Sequence, residues 1–253
     1  MEPPSSVPPV RPPLWSRGAA PREPRAIAPP ARTHDPASRP EETPHPRARG
    51  RRGWLVLATH NRHKVGELRA LLGPLPWPVT GLDAFPGAPE VAEGTESYAA
   101  NALAKARAAA AFTLETALAD DSGLEVDALK GAPGVLSARF AGESASDADR
   151  IRALLKLMEG VPWEHRTARF RCVIAVARPL GEEWTEEGLL EGFIATEPRG
   201  DRGFGYDPIF WVPELQRCLG EVAPEVKNRL SHRARAARKA RERLLREAQG
   251  GKP

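Results

Sequence analysis

Two adjacent carboxylates, Asp120 and Asp121, end an apolar run in Ala117-Leu118-Ala119-Asp120-Asp121-Ser122-Gly123, and a hydroxyl and a glycine follow them. Strand side chains alternate between faces, so at most one of the pair can enter a given pocket unless the strand has already broken. Gly123 is read here as that break. Like charges this close repel and call for a positive group beside them. A lysine would serve, and so would a hard cation such as Mg²⁺, which takes oxygen ligands. Asp120 has two readings, a ligand to a second cation or a brace for the turn. The same residue types also build ordinary solvated turns, which is the plain alternative for the whole segment.

Four other segments carry comparable chemistry. Thr59-His60-Asn61-Arg62-His63-Lys64 lies between an expected strand over residues 54–58 and an expected helix over 62–72. Free backbone N–H groups and the helix dipole favour an anion there. Asn61 or Thr59 can cap the helix, and Lys64 lies one turn in. The glycines of a P-loop are missing, so a simple N-cap with a solvated lysine competes with the phosphate reading. Glu93 sits in a Gly- and Pro-rich loop ahead of an alanine-rich helix over 97–112, where it can approach Asp121 as a second oxygen ligand. On that helix Asn101 and Lys105 are four apart and share a face.

Gly203-Phe204-Gly205-Tyr206-Asp207 sets one aromatic ring between two glycines. Such a ring can stack on a nucleobase, a contact worth roughly 1–3 kcal/mol, or it can plug the core beside a turn. Lys227 precedes a helix start at Ser231 that bears His232 and Arg233. Basic side chains are disfavoured at a helix N-terminus, so an anionic or carbonyl-rich ligand is expected to compensate them.

The elements that would position these residues alternate in type. A short strand near 79–82 follows the first helix, and Gly131-Ala132-Pro133-Gly134 forms a loop after the Asp120 strand. Ser146 opens a helix to about Met158 through a capping box. Strands are expected over 170–177, 184–194 and 209–212, and a last helix capped by Ser231 runs to about Ala248. This alternation gives an α/β class with a mixed sheet.

Composition narrows the partners. Residues 1–52 hold ten Arg against five acidic residues, and 14 of the 27 prolines fall in the first 50. This segment is expected to be disordered, and it is the source of the basic pI near 9.3. The remaining 53–253 carry 27 basic and 28 acidic residues, so the folded part has no basic surplus to suit a nucleic acid. No apolar run of roughly 18 residues suggests a membrane span. The two cysteines, Cys172 and Cys218, are too few for a disulfide framework or a zinc site, and a reducing cytoplasm is the expected setting.

Taken in order, Thr59-x-Asn61-x-x-Lys64, Glu93 ahead of Asn101-Ala-x-x-Lys105-Ala, Ala119-Asp-Asp-Ser-Gly123, Gly203-Phe-Gly-Tyr-Asp-Pro-Ile-Phe210 and Ser231-His-Arg233 resemble the inosine/xanthosine triphosphate pyrophosphatase family. The resemblance spans about residues 54–246. It implies an elongated mixed α/β sheet flanked by helices, with two lobes about a cleft and a homodimer. The implied reaction is Mg²⁺-dependent hydrolysis of non-standard purine nucleoside triphosphates (ITP, dITP, XTP) to monophosphate and pyrophosphate. By position, the resemblance implies that Thr59, His60, Asn61, Arg62, His63 and Lys64 hold the phosphates and that Glu93 and Asp121 bind the metal. Asp121 is also the implied base that activates water, with Ser122 beside the substrate. Phe204, Gly205, Tyr206 and Asp207 form the implied base pocket, Lys227 supports phosphates or base, and His232 with Arg233 read the purine edge. The implied domain covers 53–249.

Two rivals remain. The related septum-inhibitor-like pyrophosphatases act on modified pyrimidine triphosphates, and the Phe-Gly-Tyr-Asp and Ser-His-Arg segments argue against that reading. A nucleotide- or RNA-binding protein using the Arg-rich tail and the last helix would bind without turnover and with strong salt dependence.

Overall fold

The structure, a computed structural model, describes residues 53–179 and 181–250; the segment 1–52, expected to be disordered, lies outside the described residues. Among the described residues seven strands form one sheet in the order β2-β1-β3-β4-β5-β6-β7. β1 (Leu55–Leu57) lies between β2 (Val79–Gly81) and β3 (Thr116–Val126), parallel to both. From β3 onward the neighbours are antiparallel, through β4 (Thr167–Ala177), β5 (Glu183–Ile194), β6 (Phe210–Val212) and β7 (Arg217–Cys218). The mixed sheet flanked by helices is as the sequence pattern implied.

Alternation along the strands sorts the core into layers. Val56 of β1 and Ala58 just after it, Ala117 and Ala119 of β3, and Val173 and Ala175 of β4 face α2 (Tyr98–Thr113). Alanines at 102, 106 and 109 give α2 a smooth face that packs close to the sheet. The intervening Leu55, Leu57, Leu118, Ile174 and Val176 face α1 (Arg62–Leu72) and α5 (His232–Ala248). Beyond the site, Leu124, Phe170, Leu190 and Phe210 form a third cluster with Ile151, Leu154 and Met158, at one end of which α3 (Asp147–Leu157) is opened by the expected Ser146 capping box.

Two differences from the sequence pattern bear on the site. β3 does not break at Gly123 but runs on to Val126, paired with β4 throughout. The glycine is there for close approach. A Cβ at 123 would lie 2.3 Å from the Gly134 carbonyl oxygen and 2.7 Å from Ser137 Oγ. The second difference is an extra helix, α4 (Pro224–Leu230), which carries Lys227 and ends at the Ser231 that caps α5. Its seven residues are too few for the apolar period to stand out.

Candidate active site

β1 ends opposite Leu118, so the following stretch of β3 has no partner strand on that edge. A pocket of about 630 Å³ opens there, lined by Thr59, His60, Asn61, Lys64, Glu93, Asp121, Ser122, the 204–207 loop, Lys227, His232 and Arg233 among others. Residues from five separate sequence segments thus meet in one place. Arg62 and His63, both implied to hold phosphates, do not line it. Asn61 Oδ1 accepts from the backbone N–H groups of His63, at 3.0 Å, and Lys64, at 3.2 Å, capping α1; Arg62 and His63 are exposed on that first turn, the His63 ring lying against that of Phe204. Thr59 Oγ1 accepts from Asn61 N–H at 3.2 Å and steadies the cap.

Because β3 stays regular, its two aspartates part company. Asp121 falls on the α2 face. Its Oδ2 accepts from Asn101 Nδ2 at 2.9 Å, and its Oδ1 from its neighbour's N–H, Ser122, at 2.9 Å. Lys105 Nζ lies 2.8 Å from Glu93 Oε1 and 3.8 Å from Asp121 Oδ1. Asn101 also exchanges two hydrogen bonds with Gly94, and Arg139 Nη1 donates to the Glu93 carbonyl at 3.1 Å, so the loop bearing Glu93 is pinned from two sides. Burial pushes the Asp121 carboxyl above the ordinary carboxylate range, against the pull of Lys105, the Asn101 amide and Lys64.

Asp120 falls on the opposite face and does not line the pocket. It is fully buried, with Lys64 Nζ and Arg233 Nε each 3.1 Å from its Oδ2. Burial alone would raise its carboxyl, but Lys64, Arg233 and Lys105 outweigh that and hold it well below the usual range. Of the two readings of Asp120, the brace is the one its surroundings fit. Arg233 continues the chain of contacts, donating from Nη1 to Glu67 at 2.6 Å and from Nη2 to Ser122 Oγ at 2.9 Å. Glu67 accepts from Lys227 at 2.9 Å, and Lys227 reaches Asp207 Oδ2 at 2.7 Å. Asp207 Oδ2 in turn accepts from the Phe204 N–H at 2.9 Å. Opposite charges alternate along this series, which is what makes burial of so many ions tolerable.

The basic pair at the start of α5 therefore needs no external anion, contrary to the sequence expectation. Asp120 and Glu67 compensate Arg233, and His232 carries no charge to compensate. Burial, then the nearby Arg233 and Lys227, drive the His232 imidazole well below its ordinary value. Its ring stacks on Phe170 at 4.7 Å, and its buried Nδ1 has no hydrogen-bond partner among the described residues. α5 can approach this closely because Gly188 of β5 lies beneath it; a Cβ there would stand 2.2 Å from the His232 carbonyl oxygen.

Sequence reasoning missed Glu67 and Asp147. Glu67 lies three residues after Lys64 on α1, a same-face spacing that was available as a signal. Asp147, at the start of α3, accepts from the Gly205 N–H at 2.6 Å and so anchors the aromatic loop. Its partner is 58 residues away, and no local pattern announces it.

With this geometry in view, residues 55–243 match the Ham1 family. The chain belongs to the Ham1 family. A dITP/XTP pyrophosphatase of Desulforamulus reducens is 57% identical over 192 residues, which is 76% of this Ham1 chain and 96% of that protein. A dITP/XTP pyrophosphatase of Symbiobacterium thermophilum is 54% identical over 190 residues, 75% of the chain and 94% of the relative. Among solved structures, a HAM1 protein from Coxiella burnetii superposes with a TM-score of 0.71 at 42% identity, covering 76% of this chain and 98% of that one.

Proposed function

We propose that this Ham1 protein hydrolyses non-standard purine nucleoside triphosphates such as dITP, ITP and XTP to the monophosphate and pyrophosphate, removing them from the nucleotide pool. The observation that carries the reading is the meeting of Asp121, Glu93 and Lys105 with the 204–207 loop and His232 in one pocket. The former are groups for phosphate chemistry, and the latter suit a base. Relatives named for this activity align over nearly their whole length.

Glu93 and Asp121 are the residues that would hold Mg²⁺. Their fit rests on the donor set: two pocket-facing carboxylates with an ammonium, Lys105, already lying between them. Among the described residues no cluster of three or more His, Cys, Asp or Glu forms a closed metal cage. Mg²⁺ is commonly held by one or two carboxylates, with phosphates and water completing its shell. When bound, it neutralises phosphate charge and favours deprotonation of water.

The chain's own residues supply the rest. Lys64 and Lys105 bring positive charge to the phosphates. Asp121, with its carboxyl raised toward neutrality by burial, accepts the proton of the attacking water as the anhydride bond between the first and second phosphates breaks. Pyrophosphate is the leaving group. Asn101 and the Ser122 N–H fix the Asp121 carboxylate so that no reorganisation is needed at that moment.

Phe204 offers its ring to the purine. His232 and the N–H groups of Arg233 not taken by Asp120, Glu67 and Ser122 would read the base edge. Donors matched to a 6-keto oxygen meet a donor in adenine, and polar mismatches of this kind discriminate by about 10⁴. Action in the cytoplasm is part of the reading, supported by two buried free cysteines. So is a homodimer, supported by Phe112 in the last turn of α2 and Leu114 just after it, exposed apolar side chains that a second copy would cover.

Asp121→Asn tests the assignment. Turnover is expected to fall by about 10²–10⁴. Because burial makes the charged form of Asp121 unfavourable, the melting temperature is expected to hold or rise. Turnover within a few-fold of wild type would remove Asp121 from the mechanism.

A further inference from the structure

Three groups from three helices already surround the Phe204 ring. The His63 ring of α1 stacks on it at a centroid distance of 5.5 Å with 23° between planes. Lys227 Nζ of α4 lies 4.7 Å from the centroid, and the Arg233 guanidinium carbon of α5 lies 5.5 Å from it. Aromatic atoms in contact are about 3.5–4.0 Å apart, so a third ring between two others needs roughly 7 Å. The His63–Phe204 spacing leaves no room for one, and a purine stacking on Phe204 must displace a resident group.

The three are not equally able to leave. Lys227 is held by Glu67 at 2.9 Å and Asp207 at 2.7 Å, and Arg233 by Asp120, Glu67 and Ser122; both are buried. Moving either would leave buried carboxylates without their counter-ions, which is strongly unfavourable. His63 is exposed, and its imidazole makes no hydrogen bond or ion pair among the described residues. Its backbone is fixed by the Asn61 cap, so a side-chain rotation is enough to free the ring of Phe204.

We propose that His63 is a specificity-determining placeholder: its imidazole occupies the stacking position on Phe204 in the free protein and competes with the incoming purine, setting the affinity for the base half of the substrate. The inference rests on the reading of Phe204 as the purine platform. It makes His63 oppose binding, the reverse of the phosphate-holding role that the sequence resemblance implied.

The test uses the full chain and three variants of one position: wild type, His63→Ala and His63→Phe. Binding of inosine monophosphate and of pyrophosphate is measured by calorimetry, and KM and kcat for ITP are measured alongside. Loss of a stacked aromatic competitor is expected to tighten inosine monophosphate binding about three- to tenfold in His63→Ala and to lower KM for ITP similarly. His63→Phe, which keeps a ring in place, is expected to bind no more tightly than wild type. Pyrophosphate binding, which does not involve the platform, is expected to be equal in all three. Weaker or unchanged inosine monophosphate binding in His63→Ala would overturn the proposal, weaker binding meaning that His63 covers the purine instead. The calorimetric result stands apart from the turnover assay, so loss of this inference and loss of the functional reading are distinguishable.

Discussion

Replacing Asp120 by Asn separates the two carboxylates that the sequence sets side by side. Asp120 is wholly buried and holds Lys64 and Arg233 at 3.1 Å each, while its other oxygen has no partner among the described residues. Asparagine keeps the shape but removes the charge, leaving two cations facing one another. Removing one partner of a buried pair costs about 3–5 kcal/mol. Arg233 retains Glu67 at 2.6 Å and Ser122 at 2.9 Å, which argues for the lower end, about 3 kcal/mol. In a folded domain of this size 1 kcal/mol shifts the melting temperature by about 2–4 °C, so a fall of roughly 6–12 °C at pH 7 is expected. The same variant is expected to lower kcat/KM, since Lys64 and Arg233 both line the pocket. The Mg²⁺ concentration for half-maximal activity is expected to stay within about twofold, because Asp121 and its partners Asn101 and Lys105 lie on the other face of β3. Thermal melts and Mg²⁺ titrations decide it. A melting temperature within about 2 °C of wild type would refute the brace, and a large rise in the Mg²⁺ requirement would make Asp120 a metal ligand.

Other expectations follow from the same geometry. Burial raises the Glu67 carboxyl, but Arg233 and Lys227 bring it to a net value below its ordinary 4.5. A depressed carboxylate stabilises fully above its unfolded value and loses that contribution as pH falls through the folded value. Glu67→Gln is therefore expected to lose about 2 kcal/mol at pH 7, with the gap constant down to about pH 5 and closing below it. A pH-independent gap in thermal melts would contradict the ion pairing. Gly188→Ala puts a methyl 2.2 Å from the His232 carbonyl oxygen and 2.5 Å from Ala236 N, so the start of α5 must move. A cost of about 1–3 kcal/mol is expected, together with a raised KM for ITP; an unchanged KM would show that α5 is not what positions the base-reading groups. Removal of residues 1–52 is expected to leave kcat and KM for ITP unchanged, and loss of turnover would make that segment part of the site.

Long apolar or strongly capped elements were legible in the sequence. α1 begins and ends where the Asn61 cap and Gly73 place its ends, and the alanine-rich face of α2 is the face that packs. The chemical segments were legible too, because each grouped charged or polar residue types at the end of an expected element, and the fold brings residues from all five to one pocket. Gly123 was misread because a glycine demanded by a neighbour's backbone looks the same in sequence as one demanded by a turn. The start of α5 was misread for a related reason. The anions that satisfy Arg233 come from β3 and α1, 113 and 166 residues away, and a helix end viewed alone shows neither of them. Asp147 and α4 were silent, the one because its partner is remote and the other because a helix of seven residues shows less than two full turns of pattern.

The most direct measurement of the central claim is pyrophosphate release from ITP, XTP, GTP and ATP by the full chain, with Mg²⁺ and with chelator. Metal-dependent release from ITP and XTP far above that from GTP and ATP is the predicted result. Release from none of them, or equal release from all four, would contradict it.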